Sequence, residues 1–423
     1  MRALRVVVGS VLLSGAMVAA SATSSSSAPP GAAGSGAAGS GAAGSWAAAS
    51  GTTASAAGAL TQVTNFGTNP GNLAMYEYVP AGLPAGAPTV VALHGCTQSA
   101  AAYHQGSGWS QLADEYGFAV VYPQQSSGNN ANSCFNFFEA GDTTRGQGEA
   151  ASIAQMVTHA RSSHSLGSDN TFVTGLSAGG GMTSAMLATY PDLFAGGSVV
   201  AGLPFRCATS MVDAFGCMSN PPDRTPQQWG ALARDGYPGH SGPRPKVAVW
   251  HGTSDTTVVP ANARELVDQF TDVAGVSRTA TETTTLSGGT TRRAYGGEVV
   301  EYSVQRMGHG TPVDPGSGAD QCGQAGAYFL DTICSARHDA AFFGISAPVD
   351  PGDPGDPGDP GDPDPEPGAC VTASNYDHTV AGRAHQSGGM TFANGSGDAM
   401  GLWNVFTTTE LEETAPGYWE VGC

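Results

Sequence analysis

The chain has almost no lysine: Lys246 is the only one among its 423 residues, and charged residues make up 12% of the sequence. Lys246 lies between Pro245 and an apolar segment, so Schiff-base chemistry and a P-loop both lack their key residue. Basic residues number 16 against 35 acidic ones, which gives a net charge of −19. This balance argues against binding to nucleic acid or to anionic membranes.

Long apolar runs and metal-binding spacings are also missing. No segment reaches the roughly eighteen apolar residues of a membrane span, and no CxxC or HExxH motif occurs, so we expect no bound metal. The one extended apolar stretch, Val6–Val18, follows Met-Arg-Ala-Leu-Arg and precedes Ala20-Ser21-Ala22. A basic start, an apolar middle and small residues at the end predict a signal peptide at residues 1–22 and a secreted protein.

The cysteine count fits export, because an even number in a secreted chain favours disulfides. Spacing alone leaves the connectivity open, and sequential pairing is the simplest expectation. Those pairs would be Cys96 with Cys134, Cys207 with Cys217, Cys322 with Cys334, and Cys370 with Cys423.

Composition divides the rest of the chain into four segments. A Gly/Ala/Ser leader at 23–58 has too little apolar bulk to fold, and a catalytic domain is expected at 59–347. A Pro-Gly-Asp repeat at 348–368 should act as an extended linker, although its aspartates leave a calcium-binding alternative open. A small aromatic-rich module is expected at 369–423.

Apolar strands alternate with helical segments through the expected catalytic domain. Strands are predicted at 75–79, 88–95, 118–122, 171–174, 197–201, 246–250 and 299–304. Helices are predicted around 108–116, 148–162, 178–189 and 262–274. This alternation favours an α/β fold with a largely parallel sheet covered on both faces.

The sequence Gly175-Leu176-Ser177-Ala178-Gly179 lies between a predicted strand and a predicted helix. Gly-x-Ser-x-Gly in this context is typical of a nucleophile elbow, a tight turn that presents a serine above a sheet. A serine needs a base to remove its proton, and the base needs a carboxylate to orient it. Ser177 is therefore the candidate nucleophile.

The acid and the histidine should follow the serine in the chain. Asp255 lies just beyond a predicted strand end, whereas Asp223, Asp235 and Asp268 lie in a loop or on a helix. His309 lies in the glycine-flanked loop Met307-Gly308-His309-Gly310, with His251, His338 and His378 as alternatives. Asp255 and His309 are the predicted partners of Ser177.

Acyl transfer also needs N–H donors for the developing oxyanion. The residue after the serine, Ala178, should supply one, and the turn His94-Gly95-Cys96 after an earlier strand should supply the other. We assign this second donor to the Cys96 N–H and expect His94 to shape the turn. Cys96 as a nucleophile is the rival interpretation, which a disulfide would remove.

Four motifs together resemble the extracellular polyhydroxybutyrate depolymerases, a group that is related to feruloyl and acetylxylan esterases. They are the elbow, Tyr190-Pro191-Asp192-Leu193-Phe194, Trp250-His251-Gly252-Thr253-Ser254-Asp255, and Met307-Gly308-His309-Gly310-Thr311-Pro312. The oxyanion turn precedes the serine, as in the type 1 arrangement. The C-terminal Asn375-Tyr376-Asp377-His378 and Trp403-Asn404 resemble a module carried by such depolymerases.

The resemblance implies an α/β-hydrolase fold and cofactor-free hydrolysis of poly(3-hydroxybutyrate), an insoluble polyester. We also expect the chain to be a monomer. A carbohydrate esterase acting on xylan is the runner-up, and a binding protein that keeps the fold without turnover is a further alternative. Candidate substrate contacts are Trp250 beside the acid loop and, in the module, Tyr376, Trp403, Phe406, Tyr418 and Trp419. Each of these aromatic residues has a core-packing alternative.

Overall fold

The computed structural model describes residues 58–345, 370–380, 383–387, 389–404, 407–415 and 417–422. The predicted signal peptide and linker lie outside the described residues, as does almost all of the predicted leader. The described residues fall into a large α/β region ending at residue 345 and a small β-rich region beginning at residue 370.

The α/β region is built on one sheet of ten strands. In chain order they are β1 (Thr61–Val63), β2 (Ala74–Tyr78), β3 (Thr89–Leu93), β4 (Ala119–Gln124), β5 (Thr171–Leu176), β6 (Gly196–Val200), β7 (Lys246–Gly252), β8 (Glu282–Leu286), β9 (Thr290–Tyr295) and β10 (Val299–Val304). Across the sheet they are arranged as β1-β2-β4-β3-β5-β6-β7-β10-β9-β8. The six neighbouring strands at the centre of the sheet, β4-β3-β5-β6-β7-β10, pair in parallel, which confirms the expected parallel centre.

Both edges of the sheet are antiparallel. Strands β1 and β2 extend one edge, and the hairpin β8–β9 extends the other. The hairpin was not predicted, because its threonine-rich strands are mostly half-exposed and carry no apolar run. The hairpin is held in the sheet by the pairing of β9 with β10, a contact that the local sequence does not indicate.

Helices cover both faces of this sheet. They are α1 (Ala100–Gly106), α2 (Trp109–Tyr116), α3 (Ala140–Thr143), α4 (Gly148–His164), α5 (Ala178–Thr189), α6 (Met211–Ser219), α7 (Pro226–Arg234), α8 (Ala261–Ala274) and α9 (Ser335–Phe343). Successive residues of β3 point to opposite faces. Val91 and Leu93 pack with α4, α5 and α8, whereas Val90 and Ala92 pack with α1, α2 and α9. The result is a three-layer α/β arrangement.

Three disulfides staple loops of the α/β region. They join Cys96 to Cys134, Cys207 to Cys217 and Cys322 to Cys334, which confirms sequential pairing for these six cysteines. Cys370 is also disulfide-bonded, whereas its expected partner, Cys423, lies outside the described residues. Within the described ranges, no helix combines the length and apolarity needed to cross a bilayer.

A short parallel pair, β11 (Thr311–Val313) and β12 (Phe329–Asp331), follows the His309 loop. The C-terminal region contains β13 (Cys370–Ser374), α10 (Asn375–Val380), β14 (Ala384–Ser387), β15 (Met390–Ala393), β16 (Ala399–Leu402), β17 (Thr408–Ala415) and β18 (Tyr418–Val421). Its strands form two three-stranded sheets. A small core of its own includes Met400, Leu411 and Trp419.

Candidate active site

Ser177 occupies the turn between β5 and α5, where it has φ 58° and ψ −115°. This backbone conformation is rare for a residue with a side chain. The glycines on either side allow it: a Cβ on Gly175 would lie 2.5 Å from the Gly179 backbone. The Ser177 N–H also donates to the Val200 carbonyl of the neighbouring strand at 2.9 Å. The strained turn is thus held in place by the sheet, as the motif predicts.

Asp255 and His309 meet at the carboxyl edge of the sheet. Asp255 follows β7, and its Oδ1 accepts the backbone N–H groups of Thr257 and Val258 at 2.8 and 2.9 Å. Its Oδ2 lies 2.7 Å from His309 Nδ1. The Asp255 side chain is fully buried and that of His309 is 11% exposed. This geometry brings together the predicted acid and the predicted histidine.

The electrostatics of the pair keep Asp255 ionised. Burial by itself would raise the pKa of this carboxyl, but the hydrogen bond and charge of His309, together with the Val258 N–H, hold the pKa below its usual value. A carboxylate only accepts hydrogen bonds, so the proton of His309 must reside on Nδ1. Nε2 is then left as an acceptor, which is the form that a general base requires.

His251, an alternative base from the sequence, has a structural position. It is 2% exposed, and its Nε2 lies 2.8 Å from the Val258 carbonyl and 3.6 Å from Asp255 Oδ2. Burial lowers the pKa of this imidazole and keeps it neutral. His251 therefore supports the loop that carries Asp255. The His338 ring packs beside the stacked rings of Trp250 and Tyr302, 6.0 Å from each, and His378 donates to the Thr409 carbonyl in the C-terminal region.

Two residues of the turn His94-Gly95-Cys96, Gly95 and Cys96, line a cavity that Ser177 and His309 also line. The Gln125 N–H donates to His94 Nε2 at 3.1 Å, so His94 Nδ1 carries the proton and donates to the Gly95 carbonyl at 2.8 Å. Burial lowers the pKa of His94 to about 4, which keeps this tautomer neutral. Because a trans peptide points its C=O and N–H in opposite directions, anchoring the Gly95 carbonyl also orients the Cys96 N–H.

Ala178 is the first residue of α5, so its N–H has no acceptor within the helix. The positive end of the helix dipole lies at the same point. The Cys96–Cys134 disulfide ties the turn that carries Cys96 to the loop that carries Cys134. It also removes Cys96 as a nucleophile. The two predicted donors thus lie on elements that converge at Ser177.

Glu149 is linked to the His94-Gly95-Cys96 turn through a buried polar network that the sequence did not indicate. Its Oε1 accepts a hydrogen bond from the Gln125 side chain, and its Oε2 accepts the Asn136 N–H at 2.9 Å. The Gln125 backbone N–H donates to His94, and the loop 125–136 contains Cys134, which is bonded to Cys96. Burial raises the pKa of Glu149 to about 8. Glu149 is therefore connected to the Gly95–Cys96 peptide in two ways: through Gln125 and His94, and through the loop that carries Cys134.

We expect Glu149→Gln to lower kcat about tenfold at pH 9 with little change in KM, because above its pKa the wild-type carboxylate accepts both hydrogen bonds, whereas an amide must turn its NH₂ group toward one of the two donors and disturb the His94-Gly95-Cys96 turn. Between pH 4.5 and about 8, the Glu149 carboxyl keeps its proton in the folded wild-type chain but has lost it in the unfolded chain. Its stability should therefore fall as pH rises from 4.5 toward about 8, and Glu149→Gln should flatten this slope. Melting temperatures across this range, with the exposed Glu139→Gln as control, test it. An unchanged slope and kcat would contradict the network's role.

A cavity of about 400 Å³ opens at Ser177 and His309. Its apolar lining residues include Phe137, Phe138, Leu176, Met211, Phe215 and Met218. Its polar lining residues include Thr97, Gln98, Asn130, Asn132 and Thr257. The lining contains no Asp, Glu, Lys or Arg. In the described ranges, no group of three or more His, Cys, Asp or Glu side chains could hold a metal ion.

Trp250 corrects one prediction, because it does not line this cavity. It is fully buried under the sheet, where it stacks on Tyr302 at 3.8 Å and its Nε1 donates to Asp339 at 2.8 Å. The strand turns Trp250 toward the face of the sheet that α1, α2 and α9 cover. The sequence missed Met211 and Phe215 on α6, and also Tyr328, whose ring lies beside His309. Their segments lack any motif, and only the fold brings them to Ser177.

The predicted contacts in the C-terminal region separate into surface and core. Trp403 and Tyr418 are 42% and 41% exposed, and the Trp403 Nε1 donates to Thr379 at 2.9 Å. Trp419 belongs to the core at 4% exposure. Phe406 and the side chain of Tyr376 lie outside the described residues.

Comparisons with known proteins identify relatives of this chain. Residues 73–294 match the Esterase PHB depolymerase family model. Poly(3-hydroxyalkanoate) depolymerase C of Paucimonas lemoignei is 58% identical over 297 residues, which cover 69% of this chain and 71% of that protein. Acetylxylan esterase A of Aspergillus oryzae is 42% identical over 234 residues, 54% of this chain and 75% of that one.

A solved structure gives the same fold. The acetyl xylan esterase from Aspergillus awamori superposes with a TM-score of 0.59 at 31% identity, covering 68% of this chain and all of that one. The family model spans more than half of the present chain. With its elbow serine, its Asp–His pair and an α/β-hydrolase sheet, this chain belongs to the PHB depolymerase esterase family of serine hydrolases.

Proposed function

We propose that the chain is a secreted serine esterase that hydrolyses poly(3-hydroxybutyrate) to hydroxy-acid monomers or short oligomers. Ser177 would be the nucleophile, His309 the base and Asp255 the residue that orients it. The N–H groups of Cys96 and Ala178 would form the oxyanion hole. The observation that carries the proposal is that His309, held by the buried Asp255, lines one cavity with the elbow Ser177.

In acylation, His309 Nε2 takes the proton of the Ser177 hydroxyl as its Oγ attacks the ester carbonyl. The carbonyl oxygen becomes an oxyanion and accepts the two backbone N–H groups. The tetrahedral intermediate then collapses, and His309 returns the proton to the departing alcohol of the shortened polymer. Asp255 stabilises the imidazolium throughout and keeps Nδ1 protonated.

In deacylation, water replaces the alcohol. His309 takes a proton from water as its oxygen attacks the acyl-enzyme, and then gives the proton to Ser177 Oγ as the acid leaves. The products are a carboxylic acid and the regenerated serine. All steps use side chains and water, so we propose no cofactor.

The cavity lining supports a neutral, aliphatic ester as substrate. Because no formally charged carboxylate, lysine or arginine lines it, the cavity has no group that would select a charged substrate, and its apolar wall suits methyl-bearing hydroxy-acid units. The depolymerase relative points to a polyester of this kind. The acetylxylan esterase matches favour one second candidate, removal of acetyl or feruloyl groups from xylan.

Two assays run in parallel separate these candidates. The wild-type chain is added to a suspension of poly(3-hydroxybutyrate) and, separately, to acetylated or feruloylated xylan. We expect the suspension to clear with release of soluble hydroxy acids, and xylan to release acetate or ferulate slowly. No clearing together with efficient release from xylan would overturn the polyester proposal.

The domain order supports attack on a solid. We propose that the linker at 348–368 tethers the C-terminal module, whose exposed Trp403 and Tyr418 would contact polymer. Tethering of this kind raises the local concentration of the catalytic region at a surface. The predicted signal peptide and the three disulfides support export. We propose a monomer as the working form.

Deleting residues 348–423 should spare hydrolysis of a soluble ester, because Ser177, Asp255 and His309 and their packing lie before residue 346. Adsorption to polymer should weaken roughly tenfold or more, since avidity is lost. Binding to polymer granules and soluble-ester rates are measured on the same preparations. Equal granule binding by the full and shortened chains would refute a binding role for the module.

A further inference from the structure

The exposed large apolar side chains of the described residues fall into two sets. One set lies around the active-site cavity, and we call it the mouth patch: Met211, Val212, Phe215 and Tyr328. The other set lies in the C-terminal region and consists of Leu402, Trp403, Tyr418 and Val421. Elsewhere the described surface buries such side chains or leaves them only partly accessible. An apolar cluster of this kind on a soluble protein marks an interaction surface.

The exposed face of α6 is not the result of a loose helix. Ala214 and Cys217 point inward and are buried, and the Cys207–Cys217 disulfide staples the helix to the loop before it. At its C-terminal end, Asn262 Nδ2 donates to the Cys217 carbonyl at 3.0 Å. The helix is therefore anchored on one side while Met211, Val212 and Phe215 face outward at exposures of 50%, 79% and 62%.

The mouth patch is continuous with the catalytic cavity. Met211, Phe215 and Tyr328 line the cavity that contains Ser177 and His309, while Val212 lies outside it. The helix has one charged side chain, Asp213, and its carboxylate is held by the Ser210 hydroxyl at 2.8 Å. The exposed part of α6 beside the entrance is thus apolar and carries a single charged side chain.

We propose that the mouth patch docks the catalytic region directly on the surface of a solid aliphatic polyester, so that a chain at that surface enters the cavity. This inference rests on the proposed function. A protein partner or a second copy seated here would cover the entrance to Ser177. A solid substrate can occupy the patch and supply the ester at the same time. The polymer surface is therefore the occupant that fits both the exposed apolar face and its continuity with the cavity.

The test uses the full-length chain with Val212→Asp, because Val212 is the most exposed member of the patch and does not line the cavity. The measured quantity is the rate of polymer hydrolysis per adsorbed enzyme, divided by the rate on soluble p-nitrophenyl butyrate. We expect this ratio to fall about tenfold, since one buried aliphatic side chain is lost and a charge must be desolvated. Val212→Thr, which adds no charge, should lower it less.

Thr158→Asp is the matched control, because Thr158 is exposed on α4 and does not line the cavity. Its ratio should equal that of the wild type. An unchanged ratio for Val212→Asp would overturn the docking surface. Equal losses on polymer and soluble ester would also overturn it, because they would indicate damage to the cavity. Wild-type dimers that Val212→Asp abolishes, or wild-type binding to neutral lipid vesicles in place of polymer, would likewise reject the proposed occupant.

This design keeps the two proposals separable. If the wild-type chain fails to hydrolyse the polymer, the proposed function fails before the patch is tested. If the wild type hydrolyses polymer and the Val212→Asp ratio is unchanged, the proposed function stands and the docking surface alone is rejected.

Discussion

Replacing Ser177 with Ala should lower kcat for a soluble ester by about a millionfold, because loss of the nucleophile removes the whole covalent route. Ala keeps the same Cβ, so the strained backbone at φ 58° is retained without a new clash. The melting temperature should therefore stay close to that of the wild type. Steady-state rates on p-nitrophenyl butyrate measure the effect. At high enzyme concentration the wild type should also release a burst of nitrophenol as Ser177 is acylated, and Ser177→Ala should release none.

Ser254→Ala is a suitable control for Ser177→Ala. Ser254 is exposed in the loop that carries Asp255, and it does not line the cavity. Its rates should match the wild type. If Ser177→Ala retained activity while its purity and fold were verified, the nucleophile would have to be another residue.

The second large effect is expected for Asp255→Asn, with a fall in kcat of about ten-thousandfold. The Asn oxygen can still accept the N–H groups of Thr257 and Val258, which turns its NH₂ group toward His309. Facing a donor, His309 Nδ1 must become the acceptor and Nε2 must carry the proton. That tautomer cannot take the proton from Ser177, although the shape of the site is preserved.

Asp235→Asn serves as the control for this charge loss. Asp235 was a candidate acid in the sequence, but in the structure it is exposed and pairs with Arg206. We expect its kcat to stay within about twofold of the wild type, since exposed ion pairs contribute little. Circular dichroism should show both variants folded. A severe loss in Asp235→Asn with near-normal Asp255→Asn would reject the assignment.

The active-site elements were the most predictable part of the chain. The predicted helix after the elbow and the predicted strand before the His309 loop match α5 (Ala178–Thr189) and β10 (Val299–Val304) in the structure. A glycine-bounded turn between an apolar strand and a small-residue helix leaves few alternatives, because any Cβ at Gly175 or Gly179 would collide with backbone. The catalytic motif and its glycines therefore predicted the positions of these elements more closely than hydrophobic periodicity alone would have done.

The remaining features depend on contacts between distant segments. Trp250 looked like a pocket residue because it precedes the acid loop, but its side chain is buried against Tyr302 and Asp339 beneath the sheet. Burial raises the pKa of Asp339 to about 7, a shift that no local sequence pattern signals. Similarly, α6 reads as a short ordinary segment until its disulfide and the fold place it at the cavity entrance.

The most direct test of Ser177-centred polyester hydrolysis is to capture the acyl-enzyme. The full-length chain is mixed with poly(3-hydroxybutyrate), quenched in acid during turnover, digested and examined by mass spectrometry. We expect the peptide that contains Ser177 to carry one or more hydroxybutyryl units, and Asp255→Asn to carry none above background at the same times. Polymer hydrolysis without any adduct at Ser177, or with an adduct on another residue, would contradict the mechanism.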